Sequence, residues 1–255
     1  MPILSRLRGV IIIMVVTVNC NLLRRKMKHI RNLALSLIIG VFSSSIALAE
    51  YTMGVSGAIA YIDASGTETE GGEQNKANAD HLAPVASIFF EANDIYMPGL
   101  SFGIDYVPMT ADVSDKVRKR TDTENSVTGT AAETSTTRNQ SAQAELNDHL
   151  TLYANYDLND AIYLKLGYVN VDLETVESLA TGSKYGNKNI DGILLGFGTE
   201  FDLGSNSIAR LEFSHTNYKG IELTSSVART GVSQNNAIDA DLDVTQIKAS
   251  FGYKF

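Results

Sequence analysis

The chain closes on 247-IKASFGYKF-255, in which Ile247, Ala249, Phe251, Tyr253 and Phe255 occupy every second position and the last of them is the final residue. A period of two puts these side chains on one face of an extended strand, with Lys248, Ser250 and Lys254 on the other. Chain ends fray into water unless they are tied down, and apolar side chains gain nothing there. An alternating, aromatic-rich end is therefore expected to be a strand held in a sheet.

Seven upstream segments share the pattern. In Tyr51–Tyr61, Met53, Val55, Ile59 and Tyr61 alternate with Gly54, Ser56, Ala58 and Ala60. Leu82–Ala92 is a less regular run. Leu100–Pro108 sets Leu100, Phe102, Ile104 and Tyr106 against Ser101, Gly103 and Asp105. Leu150–Leu158, Ile162–Val169, Gly192–Phe201 and Ala209–Tyr218 repeat the arrangement. The connections alternate in length. Asn93–Gly99, Asn159–Ala161 and Gly204–Ser207 are short, whereas Ile62–His81, the Ser/Thr-rich stretch at 121–143 and the segments preceding Ile193 and Ile247 are long and polar. Eight strands with loops sorted by parity predict an all-β fold, an eight-stranded antiparallel up-and-down transmembrane β-barrel. Lipid cannot satisfy backbone hydrogen bonds, so such a sheet must close, and the final strand must pair with the first. The aliphatic face is expected to meet lipid as the continuous face, and the small, polar face to line the lumen. Short turns are expected on the periplasmic side and long loops outside, the loop at 121–143 disordered at its tip. Parts of 173-LETVES-178 and 220-GIELTSS-226 are expected to extend the wall outward.

The front of the chain differs in kind. Residues 1–49 hold seven Lys/Arg and no acid, whereas residues 50–255 hold 14 Lys/Arg and 29 Asp/Glu, a net charge of 14 − 29 = −15. Residues 27–49 read as a signal peptide: a basic start (27-MKHIRN-32), a short apolar run and Ala47 and Ala49 before the cleavage point. Residues 1–26 are either the product of an upstream start codon, with Met27 the true start, or an extended leader. Residues 50–255 then form the barrel domain. The single Cys, Cys20, falls in the leader. The acidic body argues against nucleic acid as a partner.

If the aliphatic face meets lipid, the lumen receives Asp105, Lys165, Glu200, Arg210, Glu212 and Lys248, with Asn155 and Glu91 beside them. Interior charges must be paired, and an eight-stranded barrel is just wide enough to be filled by side chains. A salt-bridged plug is favoured over a narrow ion or solute path. For catalysis, 212-EFSHTN-217 is the one candidate, in the manner of barrel enzymes that modify lipid A. His215 shares a face with Leu211 and Phe213, however, and Ser214 falls on the opposite face, beyond the reach a nucleophile–base pair needs. His81 and His149 sit at the starts of strands without metal-ligand spacing. No phosphate-binding loop, dinucleotide fingerprint or zinc motif is present, so no cofactor, metal or catalytic residue is assigned.

Two segments resemble a known family. 209-ARLEFSHTNYKG-220 resembles the penultimate strand of opacity-type, OmpA-type porin-like outer-membrane proteins, through Arg210, Glu212, Phe213, Thr216, Tyr218 and Gly220. 250-SFGYKF-255 resembles the terminal strand of outer-membrane barrels in general, with Ser250 where many members carry Gly. The resemblance implies that Phe251, Tyr253 and Phe255 form a signal read by the barrel-assembly machinery. It also implies an integral outer-membrane protein of a Gram-negative bacterium. Its expected role is structural and surface-interactive: envelope integrity, adhesion or surface antigen. A narrow porin and a lipid A-modifying enzyme are the alternatives. The expected partners are outer-membrane lipid and lipopolysaccharide, the assembly machinery and periplasmic chaperones in transit, with the protein itself a monomer.

Overall fold

The computed structural model describes residues 50–70, 73–126, 134–179, 183–227 and 235–255. The leader and signal-peptide expectations fall on residues 1–49, and the tip of the third connection on 127–133, all outside the described residues. From Glu50 onward the strands are β1 (Tyr51–Glu70), β2 (Glu73–Ala92), β3 (Leu100–Val107), β4 (Ala111–Asp112), β5 (Arg118–Ser126), β6 (Thr134–Asp157), β7 (Ile162–Ser178), β8 (Lys188–Asp202), β9 (Ser207–Tyr218), β10 (Ile221–Thr224) and β11 (Ala237–Lys254).

Eight of these close into a ring in the order β1-β2-β3-β6-β7-β8-β9-β11, with β11 returning to β1. The short β4 and β5 pair with β6, and β10 pairs with β11, where each continues the wall above β3 and β9. Closure runs through the segment that opens the sequence analysis. Thr52 faces Lys254, Val55 faces Phe251 and Ile59 faces Ile247 in antiparallel register. The last residue is held as well: Phe255 N donates to Tyr51 O at 2.9 Å, and Tyr51 N donates to Phe255 O at 3.2 Å. An open sheet would leave both edge strands with unpaired backbone groups, and pairing β11 with β1 removes both edges.

The end of the barrel that carries Tyr51 and Phe255 also carries the three short turns. Asn159 Oδ1 accepts from the amides of Ala161 and Ile162 in the tight turn between β6 and β7. Gly204 adopts a φ of 121° in the turn before β9, a conformation open to Gly but strained for other residues.

The far end departs from the sequence expectation. Ile62–His81 is not a loop. β1 and β2 pair without interruption up to Glu70 and Glu73. The Ser/Thr-rich third connection is likewise not a loop over most of its length, because β5 pairs with the first half of β6 from Arg118–Ala142 to Ser126–Thr134. Thr is a strand former, and adding a strand residue to an existing ladder satisfies its backbone groups directly. The segments 173–178 and 221–224 do extend the wall, within β7 and as β10. β1, at 20 residues, is about twice the ~9–11 residues that a tilted strand needs to cross a bilayer.

The two halves of the barrel have opposite polarity. In the half nearer the termini, Val55, Ile59, Leu166, Leu195, Phe197, Leu211, Ile247 and Phe251 point outward and are all about half exposed. Beyond Tyr61 the outward positions of β1 become Asp63 and Ser65, both exposed, and those of β11 become Asp239 and Asp241. The inward positions change in the reverse sense. Ile62, Val169, Val171, Leu173, Ile190, Leu242 and Val244 form a buried cluster inside the far half. The expectation of one continuous aliphatic outer face is therefore corrected: it is outside over the bilayer-length band and inside above it. Above the band the wall meets water, so the far half is built as a soluble barrel with a dry core.

Candidate functional site

The interior of the banded half is a stack of crossed ion pairs. Arg210 on β9 reaches Glu91 on β2 with two parallel bonds, Nη2 to Oε1 at 2.5 Å and Nη1 to Oε2 at 3.0 Å. Its Nε donates to Glu200 on β8 at 2.7 Å. Glu91 is fully buried, and its Oε2 also accepts from Asn155 Nδ2 at 2.8 Å. Next along the axis, Lys165 on β7 donates to Glu212 Oε2 at 2.6 Å, and Tyr163 donates its hydroxyl to the same oxygen at 3.0 Å. Above that, Lys248 on β11 donates to Asp105 Oδ2 on β3 at 2.9 Å, and Ser87 adds a bond at 3.1 Å. Lys254 closes the mouth at the terminal end, 3.0 Å from Glu200 and 3.2 Å from Asp202.

The structure thus brings together all six lumen residues expected from the sequence: Asp105, Lys165, Glu200, Arg210, Glu212 and Lys248. Glu91, given a minor place in the sequence reading, holds the most shielded position and takes the bidentate Arg. Glu91, Asp105, Glu200 and Glu212 face Lys165, Arg210, Lys248 and Lys254, four acids against four bases. The Arg210–Glu91 and Lys248–Asp105 pairs join strands three places apart around the ring, so they span the lumen rather than run along one wall.

Aromatic rings fill the space between the charges. Lys165 Nζ sits 4.0 Å from the centre of the Tyr153 ring, and the Arg210 guanidinium lies 5.6 Å from both Phe89 and Tyr163. These rings fit because their cross-strand partners lack side chains. Gly103 pairs with Tyr153, and Gly198 pairs with Tyr163. A Cβ at Gly103 would lie 2.3 Å from Tyr153 Cζ, and one at Gly198 would lie 2.4 Å from the Tyr163 hydroxyl. In both pairs the tyrosine ring occupies the space a side chain at the glycine would take, as in aromatic cover of strand glycines. The sequence shows the glycines on the lumen face, but nothing in it says which ring covers which.

His149 is a second group whose place the sequence misses. It lies within β6, not at a strand start. A bulge between Asn147 and Leu150, with Asp148 at a φ of 51°, interrupts the register there. Below the bulge the odd residues Thr151, Tyr153 and Asn155 face inward; above it Leu146 does. An inserted residue changes which side chains face inward. His149 Nε2 is left 3.0 Å from the Tyr218 hydroxyl, at the boundary between ion pairs and apolar core. His81 likewise lies within β2, opposite Ile62.

His215 points outward. Its Nδ1 is 2.9 Å from Thr245 Oγ1 across the β9–β11 pair, and its Nε2 is 3.6 Å from Asp243. Asn217 Nδ2 donates to Asp243 at 2.7 Å. Ser214 is fully buried on the opposite face and accepts from Gln246. The hydroxyl, imidazole and carboxylate match the group types of an acyl-transfer triad, but these strands pair continuously from Asp243–Asn217 to Tyr253–Ser207. Their backbone amides are committed to the ladder, which offers no pair of donors to hold an oxyanion.

At the other end, Phe251, Tyr253 and Phe255 all point outward and are at least half exposed, the Tyr253 and Phe255 rings stacked 6.2 Å apart. Among the described residues no group of three or more His, Cys, Asp or Glu is arranged to hold a metal ion.

The crystal structure of the outer membrane protein OprG from Pseudomonas aeruginosa superposes with a TM-score of 0.50 at 13% identity, over 81% of this chain and 96% of that one. The fold is that of an outer-membrane β-barrel. The outer membrane protease OmpT from Escherichia coli aligns over 84% of this chain and 100% of its own at 10% identity, with a TM-score of 0.46. Ail, the attachment invasion locus protein of Yersinia pestis, aligns over 79% and 99% at 13% identity, with a TM-score of 0.34. No protein-family model matches the chain, and no curated protein matches it by sequence. Likeness at these identities extends to the barrel and not to any chemistry inside it.

Proposed function

We propose that this chain is an integral protein of a bacterial outer membrane with a closed lumen, serving a structural and surface-interactive role. The observation that carries the reading is the outward aliphatic band, one bilayer thick, around a lumen of crossed ion pairs. On β1 the band runs from Met53 to Tyr61, nine positions, which matches the length of a tilted strand in hydrocarbon, ~9–11 residues. Lipid is the one surrounding in which such an unbroken apolar belt is favourable. The paired charges support closure, because a conducting path would need water among groups that are instead bonded to each other.

The far half, with its polar outer wall, is the part that would face outward, with the termini and short turns in the periplasm. The opacity-type resemblance of Arg210–Gly220 fits this reading, since Arg210 and Glu212 are the residues of that motif that enter the lumen network. Lipopolysaccharide and outer-membrane lipid are then the immediate partners of the band. The direct test is conductance of the pure, folded protein in planar bilayers. No stable unitary openings are expected at moderate voltage; reproducible openings of one size would overturn the closed-lumen reading.

A further inference from the structure

We propose that the far half of the barrel is a binding cup for a small water-borne amphiphile, a molecule that buries a hydrocarbon chain or ring there and leaves a polar end at the rim. The cup is a cavity of about 480 Å³ inside the extended strands. That volume lies within the range of small-molecule sites, roughly 300–1,000 Å³.

The chemistry of its surface selects the ligand. Val113, Leu173, Ile221 and Leu242 line its deep end, and each is buried. A sugar or an ion placed against them would lose its hydration without gaining hydrogen bonds. Ala64, Ala77, Ala79, Ala144 and Ala240 line the space above them, together with polar residues such as Asn75, Gln140 and Thr175. An eight-stranded barrel is just wide enough to be filled by large side chains or to hold one small ligand. The half near the termini takes the first course, with Arg, Lys, Phe and Tyr filling the lumen. The part of the far half above the aliphatic cluster takes the second, because several of its inward positions are alanine.

Polar groups gather at the rim instead. Tyr185 donates its hydroxyl to Glu68 at 2.8 Å, and its amide donates to Glu177 at 2.6 Å. The Tyr185 hydroxyl is held above its ordinary range, by burial first and by the Glu68 carboxylate next. Beneath the cup, Ile62, Val169 and Val171 are almost fully shielded, and the ion pairs lie below them. The cup is thus backed by packed side chains. Among the described residues its wall rises above the aliphatic band and is polar outside, so a water-borne ligand would enter at the end away from the bilayer.

The chain has no Trp, so one introduced Trp is a clean reporter. Ala79→Trp puts it in the cup, and Asp80→Trp puts it at the adjacent position on the exposed outer face, outside the cavity lining. Both variants, refolded into nanodiscs, are titrated with ω-bromo-1-alkanols of four to eight carbons, whose bromine quenches Trp. Saturable quenching is expected for Ala79→Trp, and none that saturates for Asp80→Trp. The dissociation constant should fall about fourfold per added methylene, the equivalent of ~0.8 kcal/mol for each buried CH2. Adding Ala144→Phe and Ala240→Phe to the cup reporter should weaken binding at least tenfold while the heat-modifiable gel shift is kept. Quenching that is linear in alcohol, equal in the two reporters or independent of chain length would overturn the proposal, whether or not the filled variant folds. So would quenching of the cup reporter by brominated phosphatidylcholine alone, which would assign the space to a bilayer lipid chain.

Discussion

Arg210→Met is the sharpest test of what holds the lumen together. The substitution keeps a long side chain but removes both bonds to Glu91 and the one to Glu200. Glu200 keeps Lys254 at 3.0 Å. Glu91 is left fully buried with only the neutral donors Asn155 and Tyr153 beside it. Removing one member of a buried ion pair costs about 3–5 kcal/mol, because the surviving charge is stranded away from water. With a denaturant slope of about 2–3 kcal/mol/M, the urea midpoint should fall by roughly 1–2.5 M. The assay is the loss of the fast-migrating folded band in unheated gels, or of tyrosine circular dichroism, across a urea series in lipid vesicles. Glu91→Leu combined with Arg210→Met should recover at least ~2 kcal/mol of the loss, since replacing a buried pair by apolar residues is often neutral. A single-mutant loss below ~1 kcal/mol, or a double mutant whose loss is the sum of the two, would refute the claim that the pair crosses a dry lumen.

Gly103→Ala should cost about 1–3 kcal/mol by pushing Tyr153 off the strand and away from Lys165, the usual range for overpacking; an unchanged midpoint in the same urea series would show that the ring has room to move. Ile247→Arg, on the outward face of the band, should destabilise by about 2–4 kcal/mol if it lies near the bilayer midplane. Asp241→Arg, on the same face of β11 but above the band, should stay within about 0.5 kcal/mol; equal effects in vesicle-embedded protein would remove the polarity boundary. Deleting Phe255 should lower the amount of assembled barrel in cells, seen as periplasmic accumulation or degradation, and normal surface levels would count against Phe251, Tyr253 and Phe255 acting as an assembly signal.

The period-two run at Ile247–Phe255 and its seven companions were enough to determine the eight strands of the ring and their closure into a barrel, though not the extensions of β1, β2 and β6 or the added β4, β5 and β10. Side-chain parity is a property of the extended backbone and needs no partner to be visible. The lumen residues were legible for the same reason: Asp105, Lys165, Glu200, Arg210, Glu212 and Lys248 fall on the face opposite the aliphatic one. Their pairing was not. Which acid meets which base depends on distances between strands up to 143 residues apart in the chain, as Lys248 and Asp105 are, and only closure of the ring sets those distances.

The polarity switch lies between these cases. In 237-AIDADLDVTQIKASFGYK-254 the even positions face inward throughout: Ile238, Ala240, Leu242 and Val244 first, then Lys248, Ser250 and Gly252. The alternation never slips, but the apolar set moves from the even to the odd positions near Thr245. The three aspartates at 239, 241 and 243 carry that signal, yet a reading that sought only the lipid-facing band takes the first two for the end of the preceding loop. Except in β6, where the bulge between Asn147 and Leu150 shifts it, the parity of the strands was thus written in the sequence. Whether a given apolar face met lipid or a dry core was decided by height along the barrel axis, which exists only once the strands are paired.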